Sequence, residues 1–216
     1  MPETRPVVTA VVLAAGSSTR MGRNKLLLEL DGESLVRRAV RAAREAVDRV
    51  VVVLGHDEER VRAELRGLEC TTVVNPDHAR GVGTSVHTGV RQAAADTDAI
   101  VIVLADMPFV TAAMIAALVG RYRETRAPVV VSHYGDVQPN SPLVAVVQAP
   151  PTLYDRALFA ELLSIDDERC AKQVVRRHQA EAEVVAWPQS ALQDVDVPAD
   201  YDEVREGLAR GFGDAP

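Results

Sequence analysis

The feature that most constrains this chain is an alternation of short β-branched runs with segments of helical period. Val7–Ala15, Val50–Leu54, Thr71–Val74 and Ile100–Leu104 have the length of strands, and their Val and Ile content suits burial on both faces. Between the first two, Leu35, Val36, Ala39, Val40, Ala43 and Val47 recur at helical spacing after Ser34, a capping residue type. Asp57–Arg66 reads as a charged surface helix with Glu58 and Arg62 four apart. Thr84–Ala94 and a segment from Thr111 to about Tyr122 read as further helices, and Val129–Val131 as a short strand. Repeated strand–helix units of this kind predict an α/β, Rossmann-like architecture: a mostly parallel sheet with helices on both faces.

From Gly135 to Pro151 the pattern breaks, with Pro139, Pro142, Pro150 and Pro151 around the apolar piece Leu143–Val147. That stretch predicts loop plus one edge strand, because proline removes a ladder donor. Helices near Asp155–Leu163 and Glu168–His178, a strand at Glu183–Trp187 and a last helix from Pro198 complete the reading. One domain over 1–210 with a mobile tail at 211–216 is the expected organisation.

Hydrophobic residues make up 47% of the chain but aromatics only 4%, so Val, Ala and Leu must fill the core. A net charge of -7 excludes a broad nucleic-acid footprint, which needs clustered Lys and Arg. A small anionic ligand needs only a local cluster, and Arg20, Arg23 and Lys25 provide one. Cys70 and Cys170 lack any metal or redox spacing and read as two reduced thiols of a cytoplasmic protein. No apolar run reaches the roughly 18 residues of a membrane span. Val7–Ala15 after Arg5 has the outline of a short signal peptide, but its β-branched run reads better as a buried strand.

The first strand runs into Leu13-Ala14-Ala15-Gly16-Ser17-Ser18-Thr19-Arg20-Met21-Gly22-Arg23-Asn24-Lys25. Small residues there let backbone amides approach phosphate oxygens, while Arg20 and Lys25 supply charge. The P-loop pattern does not fit, since Gly22 is followed by Arg23-Asn24-Lys25, and GxGxxG is absent.

With its continuation Leu26-Leu27-Leu28, this loop resembles the signature of the molybdenum-cofactor nucleotidyltransferase family, and more closely its cytidylyltransferase branch. Ala15 stands where the guanylyl branch typically has a second glycine. Asn75-Pro76 followed by Gly81, Gly83, Thr84 and Ser85 is similar to the family's nucleotide-pocket segment. Leu104-Ala105-Asp106-Met107-Pro108 is similar to its acid-bearing strand end, with Ala105 in place of the usual glycine. Asp194-Val195-Asp196-Val197-Pro198 is similar to its C-terminal acidic segment. The resemblance implies a nucleotide-diphospho-sugar-transferase-like fold and transfer of a nucleotide from CTP to a molybdopterin-type acceptor. A molybdoenzyme would then receive the finished cofactor.

Mg²⁺ favours one or two carboxylates plus phosphates, which makes Asp106 and Asp196 the expected metal ligands and Asp194 a bystander. The competing reading has Asp106 capping the next turn and Asp196 capping the helix after Pro198. Lys25, Arg20 and Asp106 are the expected catalytic groups. Leu13, Ala14, Ala15, Gly16 and Ser17 would hold the nucleotide together with the Asn75–Ser85 segment. By resemblance His56 lies near the acceptor. Pro150 and Pro151 would wall its pocket, and Pro139–Gln148 reads as an insertion packed beside that pocket or against a second subunit.

Overall fold

The computed structural model describes residues 5–18, 21–135, 147–167 and 171–209. Nine strands are present among them: β1 (Val8–Ala14), β2 (Glu29–Leu30), β3 (Glu33–Ser34), β4 (Arg49–Leu54), β5 (Thr71–Val74), β6 (Ala99–Leu104), β7 (Val129–Tyr134), β8 (Val147–Asp155) and β9 (Glu183–Trp187). Seven of them form one sheet in the order β5-β4-β1-β6-β8-β7-β9, and β2 and β3 form a separate hairpin. The helices are α1 (Leu35–Ala46), α2 (Glu58–Glu64), α3 (Val82–Ala93), α4 (Ala112–Thr125), α5 (Phe159–Leu162), α6 (Lys172–Arg177) and α7 (Pro198–Ala209).

The expected α/β architecture is present. Alternate residues of β1, β4 and β6 enter two different cores: Ala10, Val12, Val52 and Val103 pack with α1 and α4, while Val11, Val53, Ile100 and Ile102 pack with α3 and α6. Burial on both faces is why these strands read as continuous apolar runs rather than alternating ones. Packing on the α3 side is close, since a Cβ at Gly89 would lie 2.2 Å from Val11 Cγ1.

The main departure from the sequence reading is β8. The sequence reads as loop and edge strand up to Pro151 with a helix from about Asp155, yet Val147–Asp155 is a strand lying antiparallel between β6 and β7. Its prolines sit where the ladders lapse: β6 pairing ends at Ile102–Thr152, and the β7 register shifts between Val131 and His133. Proline is tolerated at such irregularities. The missing donors therefore concealed an internal strand, and the helix after it is only the short α5.

The chain order sets the position of the site. From β1 the chain builds outward through β4 and β5, then returns through α3 to place β6 on the other side of β1. That reversal is a switch point, where loops diverge beyond the carboxyl ends of β1 and β6 and leave a crevice.

Candidate active site

Two segments flank the crevice, the loop after β1 and the turn after β6, and a third is brought in from the C-terminal region. Gly16 and Ser17 are exposed at the end of β1. A Cβ at Gly16 would meet nothing within 4 Å, so no packing contact demands glycine there. The space left is a cradle in which main-chain amides can approach an anion. Ser18 then turns the chain, its carbonyl accepting from Met21 N–H at 2.9 Å and its hydroxyl from Lys25 N–H at 3.1 Å. These bonds fix the start of the helical turn Lys25–Leu27, capped by Asn24, whose side chain accepts from Leu26 N–H.

The Lys25 ammonium lies 2.6 Å from Asp106 Oδ2 and 2.7 Å from Asp196 Oδ1. Its side chain is only 11% exposed. Burial works against the charged ammonium, but the fields and hydrogen bonds of Asp106 and Asp196 outweigh it and raise its pKa above the ordinary lysine value. Asp106 stands just beyond the end of β6, as the apolar strand before it implied. Asp196 arrives because Val195 is fully buried beside Phe109 and Val204, and its N–H donates to the Asp106 carbonyl at 3.0 Å. In an extended segment neighbours of a buried residue share the opposite side, which turns both Asp194 and Asp196 toward the crevice. Asp200, in the first turn of α7, accepts from Asp196 N–H and Val197 N–H at 2.8 Å each and ties the segment to that helix.

Asp194, expected as a bystander, stands beside these groups. It lines a cleft of about 600 Å³ that runs from the switch point across β6, β8 and β7. Burial first, then the negative fields of Asp196 and Asp106, push its carboxyl above the usual range. Leu13, Ile102, Val131 and Tyr154 form the apolar floor, α3 supplies Val82 and Val86, and α6 supplies Lys172 and Val175. Pro150 and Gln148 line the same cleft, whereas the Pro151 carbonyl is turned to the Ser132 hydroxyl at 2.7 Å. Sequence reasoning set Asp194 aside although its i, i+2 spacing to Asp196 in the acidic segment was a usable signal, and it missed Lys172, which stands in no motif.

The remaining expected residues divide between ligand-facing and supporting positions. Asn75 is buried, and its Nδ2 donates to Thr84 Oγ1 at 2.8 Å and Ser85 Oγ at 3.0 Å, while its Oδ1 accepts from Asp77 N–H. These three side chains are joined to one another and hold the start of α3. Gly81 adopts φ 142°, a conformation open to glycine, and Gly83 N–H donates to the Asp167 carbonyl at 2.8 Å. Ala14 and Ala15 are buried, and His56 is exposed with its N–H donating to the Ala15 carbonyl at 3.2 Å. Arg20, Cys170, most of the Pro139–Gln148 segment and the tail at 211–216 lie outside the described residues.

Asp106 and Asp196 already share one cation, and hard carboxylate oxygens are the donors Mg²⁺ prefers. Among the described residues no three His, Cys, Asp or Glu converge as a metal cage. Two carboxylates completed by phosphate oxygens and water is the usual Mg²⁺ arrangement, so this donor set fits that ion. No helix among the described residues is long and apolar enough to cross a membrane.

An open sheet of this order collects its ligand at the β1/β6 switch point, and the groups assembled there suit phosphate and a hard cation. The class is that of the α/β nucleotidyltransferases. The chain belongs to the MobA-like NTP transferase domain family, whose domain matches residues 10–182. It is 31% identical over 219 residues to the purine catabolism protein PucB of Bacillus subtilis (strain 168), covering 94% of this chain and 98% of that protein. A probable molybdenum cofactor guanylyltransferase of Natronomonas pharaonis is 28% identical over 215 residues, with 93% and 98% covered. Rv0371c of Mycobacterium tuberculosis H37Rv has the same fold, with a TM-score of 0.79 at 24% identity over 94% of this chain and 100% of that one. A second structure of that mycobacterial protein, a complex with manganese, has a TM-score of 0.74 at 24% identity, covering 93% and 98%.

Proposed function

We propose that this protein transfers a nucleoside monophosphate from CTP to the terminal phosphate of a molybdopterin-type acceptor, releasing pyrophosphate. The observation that carries the reading is Lys25 held between Asp106 and Asp196, after the loop that opens at Gly16 and near the Asp194 end of the cleft. An acceptor phosphate oxygen attacks the α-phosphorus, a new P–O bond forms, and the bond to the bridging oxygen of the β-phosphate breaks. No covalent intermediate on the protein is needed, because positioning and charge neutralisation supply most of such catalysis.

In this reading the amides at Gly16 and Ser17 receive phosphate oxygens, and Lys25 and Arg20 offset the charge that develops during transfer. Asp106 and Asp196 would hold Mg²⁺, which when bound neutralises phosphate charge and aligns donor with acceptor. The manganese complex of the mycobacterial relative agrees with divalent-ion use in this fold. The Asn75–Ser85 cluster shapes the nucleotide wall from behind, and a molybdoenzyme is the recipient of the product.

CTP is chosen as donor because Ala15 and the Lys25–Leu28 run resemble the cytidylyl branch. GTP is the competing donor, since the Natronomonas relative is named for guanylyl transfer. The purified protein incubated with molybdopterin, Mg²⁺ and each NTP in turn decides between them by pyrophosphate release. Higher kcat/KM with CTP is expected. A preference for GTP would reverse the donor, and no release with any NTP would remove the acceptor assignment.

A further inference from the structure

The chain carries 24 cationic side chains, and 22 are arginines; the two lysines are Lys25 and Lys172. A sequence that places arginine at nearly every position where a surface cation serves has little general use for lysine. Lys172 lines the cleft, and Lys25 lies near its Asp194 end. Lys25 stands at its head with Asp106 and Asp196, close enough for its charge to act on Asp194 in the cleft lining. Lys172 stands on the opposite wall, at the start of α6, and is the one cation that lines the cleft among the described residues.

The two cationic side chains differ chemically. Guanidinium is a broad planar fork, whereas an ammonium is a compact charge on a flexible stem that can lie along an apolar wall. Around Lys172 the cleft is lined by Ala171, Val175 and Tyr154, with no carboxylate among them. Asp194, the one carboxylate in the lining among the described residues, belongs to the head end with Asp106 and Asp196. The surface cation five residues on, Arg177, is paired with Glu161, but no ion pair to Lys172 is found among the described residues. An apolar floor with an exposed ammonium at its edge, unpaired among the described residues, suits a ligand with a flat ring body and an anionic group.

We propose that Lys172 binds an anionic group of the acceptor and sets specificity for the acceptor rather than for the nucleotide. The proposal rests on the reading that a phosphorylated acceptor enters this cleft. Lys172 lines the cleft from α6 beside Ala171, whose carbonyl accepts from the Tyr154 hydroxyl of β8, whereas the loop after β1 follows Ala14 on another strand. Lys25 then serves the reacting phosphates and Lys172 holds the acceptor in line with them.

Having two lysines makes the test direct. Purified protein is treated with a trace of amine-acetylating reagent, alone, with CTP and Mg²⁺, and with molybdopterin, and modification at each lysine is read by mass spectrometry. Molybdopterin should protect Lys172, and CTP should leave it reactive. In steady-state assays Lys172→Ala should raise KM for molybdopterin about tenfold while leaving KM for CTP within about twofold, as loss of one charge-assisted contact predicts. Lys172→Arg should recover part of that loss. Unprotected Lys172 together with an unchanged acceptor KM in a folded, active Lys172→Ala would overturn this assignment and leave the transferase reading standing. Absence of pyrophosphate release by the wild-type protein with molybdopterin and every NTP would overturn both.

Discussion

Lys25 and Asp196 are 171 positions apart in sequence, yet Lys25 Nζ and Asp196 Oδ1 meet at 2.7 Å. The contact closes the site from two directions: a loop leaving the first strand meets an extended segment just before the last helix. Asp106 joins them from the end of β6 at 2.6 Å. Three segments that share no local sequence signal converge because the sheet order places β1 beside β6 and a buried Val195 pins the C-terminal segment over both.

Asp106→Ala should remain folded and lose turnover. The carboxylate is partly exposed beyond the strand end, so its removal leaves the apolar cores intact. Loss of metal-dependent charge stabilisation corresponds to roughly a hundredfold or more in rate. Chelation of divalent ions from the wild-type protein should abolish pyrophosphate release, and readded Mg²⁺ should restore it. Near-wild-type turnover by a well-folded Asp106→Ala would show that this residue is not a metal ligand.

Lys25→Ala should affect stability as well as rate. From sequence alone Lys25 reads as a loop cation whose removal would leave melting unchanged. In the structure it is nearly buried, and removing it would leave two carboxylates facing each other without a counter-ion. Their partial exposure moderates the penalty, which should be about 1–2 kcal/mol. Added Mg²⁺ should therefore raise the melting temperature of Lys25→Ala more than that of the wild-type protein. Equal Mg²⁺ responses would argue that the two acids do not form one cation site.

Much of this site was legible in sequence because its residues stand at the ends of strongly patterned strands. Asp106 follows the most apolar run, and Gly16 follows the first, so strand recognition alone placed both in the crevice. Asp196 needed the resemblance, since nothing local distinguishes a ligand from a helix cap; only the fold shows its carboxylate meeting Lys25 beside Asp106. The cleft wall was not legible. Pro150 and Pro151 are strong signals against a strand, and they conceal β8 because the sheet's irregular register, which excuses them, is a tertiary property.

Asn75→Ala should destabilise the fold by about 1–3 kcal/mol, the range for leaving buried polar partners unsatisfied. Its amide joins Thr84 and Ser85 in the interior, so the loss falls on the start of α3 and reaches the nucleotide through that helix. Chemical denaturation should show a lower midpoint with KM for CTP raised. A raised KM with an unchanged midpoint would make Asn75 a direct ligand instead.

Stability should carry a small acid-sensitive contribution from Glu161. Hydrogen bonds from Arg177 at 2.6 Å and His178 at 2.8 Å hold its carboxyl below the ordinary value of 4.5. A depressed folded-state pKa stabilises above the unfolded value, and this contribution is lost as pH falls through the folded one. The pair lies at the surface between α5 and α6, so the wild-type advantage over Glu161→Gln should be about 2 °C or less at pH 7. That advantage should shrink as pH falls below the ordinary value of 4.5 and be lost once the folded-state carboxyl is protonated. A difference that persists undiminished in acid would show that the ion pairs are not its source.

Gly55→Ala should damage the nucleotide cradle directly. A Cβ at this position would lie 2.8 Å from Ala15 Cβ, Ala15 O and His78 Cβ. One of those atoms is backbone and the others are tied to it, so no flexible side chain can give way. The Ala15 carbonyl also accepts from His56 N–H at 3.2 Å, and pushing β4 from β1 at this point would tilt Gly16 and Ser17 away from the phosphates. Overpacking of this kind costs about 1–3 kcal/mol, and KM for the NTP should rise with it. Gly89→Ala provides the control, because its Cβ would meet Val11 Cγ1 at 2.2 Å within the apolar core on the α3 side, below the cradle. That variant should lose comparable or greater stability while its folded fraction keeps a normal KM for the NTP. If the two variants lose stability alike and neither changes that KM, then contact between Gly55 and Ala15 supports the fold without shaping the cradle.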